Sequence, residues 1–157
     1  RLRSEIPDMV IRTTYLAGFP GETDDEAAAM LAFMDRTGFD YTSVFEYSAE
    51  EGTRAAKMDC QLDEAVKIER TQAGMDLAES LGFAATAARV GTTADVIVDG
   101  VEETEDGLEL IGHAWFQAPD CDGAVHLDIE EAAVGDILKV RFIDSFCYEL
   151  VGEVVEE

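Results

Sequence analysis

Residues 10–23 read VIRTTYLAGFPGET, and this stretch decides the fold of the first half of the chain. Its first seven residues are rich in β-branched and aromatic side chains, which is typical of a buried strand. Two glycines and a proline then interrupt the strand pattern. Thr23, followed three residues later by Glu26, forms the pattern of a helix capping box. The stretch therefore predicts a strand, a tight loop and a helix that ends near Gly38.

A second unit of the same kind follows along the chain. Residues 41–47 have a strand pattern, and a helical pattern runs from about residue 62 to residue 81. Strand, helix, strand and helix joined by short links predict parallel strands. Two strands cannot close a parallel sheet that is buried on both faces. We therefore interpret residues 1–81 as the last βα units of a larger α/β barrel, and we expect its earlier units to precede this sequence.

The pattern changes near Gly82, where helical periodicity gives way to short strands separated by turns. The strand patterns cover residues 92–98, 108–115, 124–127, 136–143 and 148–155. Five strands at roughly ten-residue spacing predict a five-stranded antiparallel barrel of the OB type. The expected fold class is thus α/β followed by all-β, with one domain at residues 1–81 and a second at residues 82–157.

The composition limits the classes of function. The chain has 157 residues, 47% of them hydrophobic, and a formal net charge of −24 from 35 acidic and 11 basic residues. Such a surface repels phosphate, which argues against generic nucleic-acid binding. No apolar run approaches the roughly 20 residues that span a bilayer, and no signal peptide is recognisable, so we expect no membrane association and a cytoplasmic location.

The cysteines and histidines do not form a recognisable site in the sequence. Cys60, Cys121 and Cys147 are scattered and odd in number, which predicts neither a disulfide framework nor a metal site. His113 and His126 are far apart, with no carboxylate at ligand spacing. We expect reduced cysteines and no metal ligands in this chain.

Several segments together resemble one enzyme family. Residues 18–23, GFPGET, after the strand at residues 11–16, and residues 45–53, FEYSAEEGT, resemble a late-barrel segment of the radical S-adenosylmethionine methylthiotransferases. The β-rich half resembles the TRAM domain of those enzymes. Within that half, residues 111–114 with 118–125, and residues 135–137 with 148–152, are similar to the branch known as the RimO type.

The resemblance implies a fold and an activity. RimO-type enzymes attach a methylthio group to the β-carbon of an aspartate in ribosomal protein uS12, using S-adenosylmethionine and two [4Fe-4S] clusters. The implied fold is the end of a TIM-like radical S-adenosylmethionine barrel followed by a TRAM domain. The CxxxCxxC motif that holds the radical-generating cluster does not occur in this sequence. We therefore expect the cluster ligands to lie outside it, no catalytic residue within it, and no activity from this chain alone.

The resemblance also implies contacts with the cofactor. Loops at the carboxyl ends of parallel barrel strands bind ligands, and glycines let the backbone approach them closely. The simpler interpretation is that the loop only forms a tight turn and a helix cap, and that the aromatic side chain ending the second strand belongs to the core. The candidate cofactor-binding residues are Thr14, Leu16, Gly18, Glu22, Tyr47 and Ser48.

The charge distribution suggests the partner. Residues 86–157 carry 3 basic and 18 acidic side chains, against 8 and 17 in residues 1–85. RNA binding needs basic residues, whereas an acidic barrel suits a basic protein such as uS12. An acidic proteome would explain the charge without any partner. Trp115 and Phe116 are candidate apolar anchors, although strand alternation should turn one of them inward.

Two alternative functions are also compatible with the sequence. A tRNA adenosine methylthiotransferase of the same superfamily has the same domain layout, but needs RNA affinity that the acidic β-rich half opposes. A non-catalytic, OB-like protein-binding module would need residues 10–47 to fold without any preceding sequence.

Overall fold

Residues 1–104, 107–129 and 132–155 are described by a computed structural model. The chain divides into two compact units, Arg1–Gly82 and Phe83–Glu157. A helix of 24 residues passes through the boundary between them, so the end of the helical pattern near Gly82 is not the end of the helix. Residues 84–87 read AATA, and alanine is the best helix former, which explains why the helix continues.

The first unit contains a short two-stranded parallel sheet and its helices. Its elements are α1 (Leu2–Glu5), β1 (Arg12–Ala17), α2 (Asp24–Thr37), β2 (Tyr41–Glu46), a 3₁₀ turn (Ala55–Lys57) and α3 (Glu64–Ala87). The strands pair in parallel from Arg12 opposite Tyr41 to Ala17 opposite Glu46, which confirms the predicted strand direction. A core of Ala17, Met34, Val44 and Ala78 covers one face of the sheet.

The ends of α2 follow the sequence pattern. The Thr23 hydroxyl accepts the Glu26 N–H, and the Glu26 carboxylate accepts the Thr23 N–H, so the capping box is confirmed. The helix ends at Gly38, whose φ of 56° lies in the left-handed region that glycine adopts easily. Both signals are local in the chain, which is why the sequence reveals them.

The second unit is a closed five-stranded barrel. Its strands are β3 (Thr93–Thr104), β4 (Gly107–Ala114), β5 (Val125–Leu127), β6 (Ile137–Phe146) and β7 (Glu149–Val154), in the spatial order β3-β4-β5-β7-β6. β5 and β7 pair in parallel, whereas the other neighbouring pairs are antiparallel. The prediction of an antiparallel barrel was therefore wrong in this respect, and the sheet is mixed. Strand directions cannot alternate all the way around a closed ring of five strands, so at least one neighbouring pair must be parallel, and here that pair is β5 and β7.

The barrel closes around a small apolar core. Bulges interrupt β3 between Val98 and Gly100 and β6 between Phe142 and Asp144, and such bulges bend long strands enough to close a barrel. Gly112 lies against the main chain of β3, where any side chain would collide with the Ile97 carbonyl. The fully buried core side chains are Val96, Val98, Val125, Leu127, Val140, Phe142 and Leu150.

Candidate cofactor and partner sites

One face of the β1–β2 sheet is uncovered within the first unit. The side chains that alternate away from the core are Thr14 and Leu16 on β1 and Ser43 and Phe45 on β2, and all four are exposed. Leu16 and Phe45 are neighbours in the register, with 48% and 59% of their surface accessible. Parallel sheets are normally covered on both faces. This surface, here called the open sheet face, contains two of the predicted cofactor contacts.

The loop after β1 lies at the carboxyl end of both strands. Gly18 has a φ of +77°, which other residues rarely adopt, and a Cβ at this position would stand 2.6 Å from Cγ of Lys67. Glycine is therefore required here both by the backbone conformation and by the close approach of α3. The Gly18 N–H points to both carboxylate oxygens of Glu22, each at 3.2 Å.

Glu22 is held by groups within its own unit. Arg70 Nη1 donates to Glu22 Oε1 at 2.8 Å and to the Glu22 carbonyl at 2.9 Å, and Arg70 Nη2 donates to Asp24 Oδ1 at 2.6 Å. Only 14% of the Glu22 side chain and 12% of the Arg70 side chain are accessible. Burial opposes the charge on Arg70, but the hydrogen bonds with Glu22 and Asp24 outweigh it and raise the pKa of Arg70. In this structure Glu22 therefore stabilises the loop.

Tyr47 and Ser48 follow β2 at the same end of the sheet but have different surroundings. The Tyr47 N–H donates to the Ala17 carbonyl at 2.9 Å, and its ring packs edge-on against Phe19 with centroids 5.3 Å apart. Tyr47 is buried, and its hydroxyl has no hydrogen-bond partner among the residues that the structure describes. Ser48 is exposed and donates to Glu50 Oε1 at 3.2 Å.

Two basic residues of α3 complete this end of the sheet, and the sequence analysis missed both. Arg70 holds Glu22, and Lys67 Nζ lies 2.5 Å from Glu64 Oε2 and 3.6 Å from Glu46 Oε1. The hydrogen bond with Glu64 raises the pKa of Lys67, against partial desolvation. Their spacing of three residues, which places them on one helix face, was the available signal.

The two candidate anchors differ in exposure. The Trp115 side chain is 61% accessible, whereas Phe116 is 7% accessible and packs edge-on against Phe142 with centroids 5.7 Å apart. The Arg89 guanidinium lies 4.4 Å from the Phe116 ring centroid and 5.7 Å from that of Trp115. Of the two rings, therefore, only that of Trp115 is exposed, and Phe116 belongs to the barrel core.

The histidines have partners that their spacing in the sequence does not show. His113 Nδ1 lies 2.5 Å from Asp99 Oδ2, and His126 lies between Glu109, at 3.0 Å, and Glu149, at 3.4 Å. The pairing of β3, β4, β5 and β7 brings these groups together.

Within residues 1–104, 107–129 and 132–155, no group of three or more His, Cys, Asp or Glu side chains is arranged to hold a metal ion. The three cysteines are exposed and unbridged. In the same segments, no helix combines the length and apolar character needed to cross a membrane.

The chain is similar to known proteins over its whole length. Residues 90–155 match the TRAM domain family. The chain is 44% identical, over its whole length, to the ribosomal protein uS12 methylthiotransferase RimO of Syntrophotalea carbinolica, and covers 34% of that protein. It is 45% identical over 99% of its length to the protein of that name from Pelobacter propionicus, again covering 34% of it. The protein of that name from Bdellovibrio bacteriovorus is 40% identical, also over 99% of the chain and 34% of its own length. The chain spans about a third of the length of these curated relatives, is similar to that part of RimO methylthiotransferases over its whole length, and matches the TRAM domain family at residues 90–155.

Proposed function

We propose that this chain is part of a radical S-adenosylmethionine methylthiotransferase that modifies an aspartate of ribosomal protein uS12. The first unit would supply one wall of the cofactor pocket, and the second would dock the substrate protein. The single observation that carries the proposal is the open sheet face. It is the exposed side of two parallel strands, it carries apolar and hydroxyl side chains, and a glycine-containing loop follows at the carboxyl ends of the strands. The similarity to RimO proteins suggests which enzyme this surface belongs to.

The open sheet face fits the inner surface of a larger barrel. Leu16 and Phe45 form an apolar pair in the register, and Thr14 and Ser43 add two hydroxyls one step earlier along the strands. A neighbouring strand or a bound nucleoside would bury this pair. Burial of apolar surface lowers the free energy by about 25 cal/mol for each Å² removed from water. The buried Tyr47 hydroxyl supports the same interpretation. An unpaired buried polar group costs about 1–3 kcal/mol, and a neighbouring barrel segment or the cofactor could supply the hydrogen-bond partner.

These residues fit S-adenosylmethionine in chemical character. Thr14, Leu16, Ser43 and Phe45 would hold the adenosine end, Gly18 would allow close approach of the backbone, and Tyr47 and Ser48 would border the pocket. The Glu22 carboxylate already accepts bonds from Gly18 and Arg70, so we propose that it shapes the loop. When bound, the cofactor would supply the radical and methyl chemistry that the family resemblance implies. We expect the cysteine ligands of both [4Fe-4S] clusters to lie in other parts of the parent protein.

The acidic TRAM domain favours a protein partner over RNA. Residues 86–157 have 15 more acidic than basic side chains, which repel phosphate and attract a basic ribosomal protein. The exposed Trp115 ring offers an apolar contact beside this charge. We place the activity in the cytoplasm, where ribosomal proteins are found.

A chimaeric enzyme tests the proposal. The corresponding third of the Geobacter sulfurreducens RimO protein, which is 44% identical to this chain, is replaced by this chain. The reconstituted chimaera should cleave S-adenosylmethionine reductively and add a methylthio group to a uS12 substrate, as detected by mass spectrometry. Substitution L16E together with F45E should abolish cofactor binding. The exposed helix position substituted in I68E is a control that should leave it unchanged.

The outcomes separate the candidate functions. A chimaera with full cluster content that methylthiolates tRNA but not uS12 would assign the chain to the tRNA-modifying branch. Cofactor binding that survives L16E/F45E would contradict the proposed role of the open sheet face. Stable, slow-exchanging amides in an isolated segment of residues 1–82 would favour a self-sufficient protein-binding module.

A further inference from the structure

The second unit contains a polar pocket outside the surfaces described so far. Its volume is about 450 Å³, and it opens between strands β3, β4, β5 and the β6–β7 hairpin. The side chains that matter for its chemistry are Glu102, His113, Asp120, His126, Phe146 and Glu149. The pocket therefore combines carboxylates, imidazoles and one aromatic ring.

The floor of the pocket is built from fixed groups. His126 bridges Glu109 and Glu149 through its two ring nitrogens, and Glu149 also accepts the Ala124 N–H. His113 has one such contact, from Nδ1 to Oδ2 of Asp99. These bonds hold the Glu149 carboxylate and both imidazoles in place, so a ligand would meet a rigid polar surface.

The rim of the pocket carries the groups that remain available. Glu102 and Asp120 are exposed, and neither carboxylate makes a hydrogen bond or an ion pair with another described residue. The half-exposed Phe146 ring stacks at a tilt on His126, with centroids 5.4 Å apart. A pocket lined by two unpaired carboxylates and an aromatic ring has the chemical groups that bind organic cations.

We propose that this pocket binds the guanidinium group of an arginine side chain presented by a basic polypeptide. This proposal rests on the proposed function, in which the TRAM domain docks the substrate protein, and it adds the site on the domain where an arginine of that protein would bind. A planar guanidinium can stack on Phe146 while its N–H groups face Glu102 and Asp120, whereas a lysine ammonium cannot do both equally well. The acidic surroundings disfavour a phosphate group in the same place.

Binding of small probes to the complete chain tests the pocket directly. Acetyl-arginine amide is titrated at low salt and followed by NMR, with acetyl-citrulline amide and acetyl-lysine amide as comparisons. We expect shifts at His113, His126 and Phe146, tighter binding of arginine than of lysine, and no binding of citrulline. The variant E102Q/D120N should weaken arginine binding roughly five- to twentyfold, and F146A about two- to fivefold.

A matched control removes the same charge elsewhere. Glu103 and Asp128 are also exposed and do not line the pocket, so E103Q/D128N should change arginine binding less than twofold. Equal weakening by both double variants would overturn the proposal, because it would show a general charge effect. Equal binding of citrulline and arginine, or shifts confined to other residues, would overturn it as well.

A parallel measurement of uS12 binding separates the two proposals. If the chain binds uS12 in a salt-dependent manner and E102Q/D120N leaves that affinity unchanged, the pocket proposal fails and the docking role stands. If acetyl-arginine amide occupies the pocket but uS12 does not bind, the docking role fails and the pocket remains a guanidinium site.

Discussion

Replacing Arg70 with methionine should destabilise the first unit by about 2–3 kcal/mol. Arg70 donates two hydrogen bonds to carboxylates and one to a carbonyl, and it neutralises a Glu22 side chain that is only 14% accessible. Loss of one partner of a buried ion pair costs about 3–5 kcal/mol. The partial exposure of Glu22 and its remaining hydrogen bond from the Gly18 N–H reduce this cost. Methionine also keeps most of the packing made by the apolar part of the arginine side chain.

Urea unfolding followed by far-ultraviolet circular dichroism measures this change, and hydrogen exchange of residues 14–23 locates it. Adding E22Q to R70M should recover about 1 kcal/mol, because the neutral amide leaves no uncompensated charge. The exposed Arg141–Glu153 pair is the control, and R141Q should cost less than about 0.5 kcal/mol. An R70M protein with unchanged unfolding and unchanged exchange near Gly18 would refute this account of the loop.

Three further predictions concern other parts of the chain. F116A should destabilise the barrel by about 3–4 kcal/mol in chemical unfolding, whereas W115A should cost less than about 1 kcal/mol. G112A should prevent closure of the barrel, seen as loss of the dispersed methyl signals in NMR spectra, because the new Cβ collides with main chain. Hydrogen bonds from the Thr23 N–H and hydroxyl lower the pKa of Glu26 below 4.5, so the capping box should stabilise α2 fully above about pH 4.5 and lose this effect as the pH falls through the lowered pKa. NMR shifts of the first turn of α2 would report this loss, and E26Q should remove its pH dependence.

The sequence predicts features that depend on neighbours along the chain. The capping box needs only Thr23 and Glu26, and the strand at residues 10–16 is recognisable from its β-branched composition, so both predictions agree with the structure. Strand alternation also indicated that one of Trp115 and Phe116 would be buried, although it did not identify Phe116.

The features that the sequence did not reveal depend on contacts between distant residues. Arg70 meets Glu22 across 48 positions, and only the packing of α3 brings them together. The same holds for His126 and Glu109, which are 17 residues apart and become neighbours through the pairing of β4 with β5. A closed ring of five strands must contain a parallel pair, but that this pair is β5 and β7 follows from the path of the chain after β5, which no local pattern encodes.

The position of β7 between β5 and β6 has a consequence for how the domain reaches its native state. β7 is made after the four strands described before it, yet it joins β5 to β6 and so completes the ring of hydrogen bonds. On the ribosome, we therefore expect the nascent domain to remain an open sheet, with its apolar side chains accessible, until residues 149–154 leave the exit tunnel. Because this closure pairs strands that are distant in the chain, it slows folding. Until it occurs, the exposed apolar side chains favour aggregation, and a chaperone that covers them would prevent it.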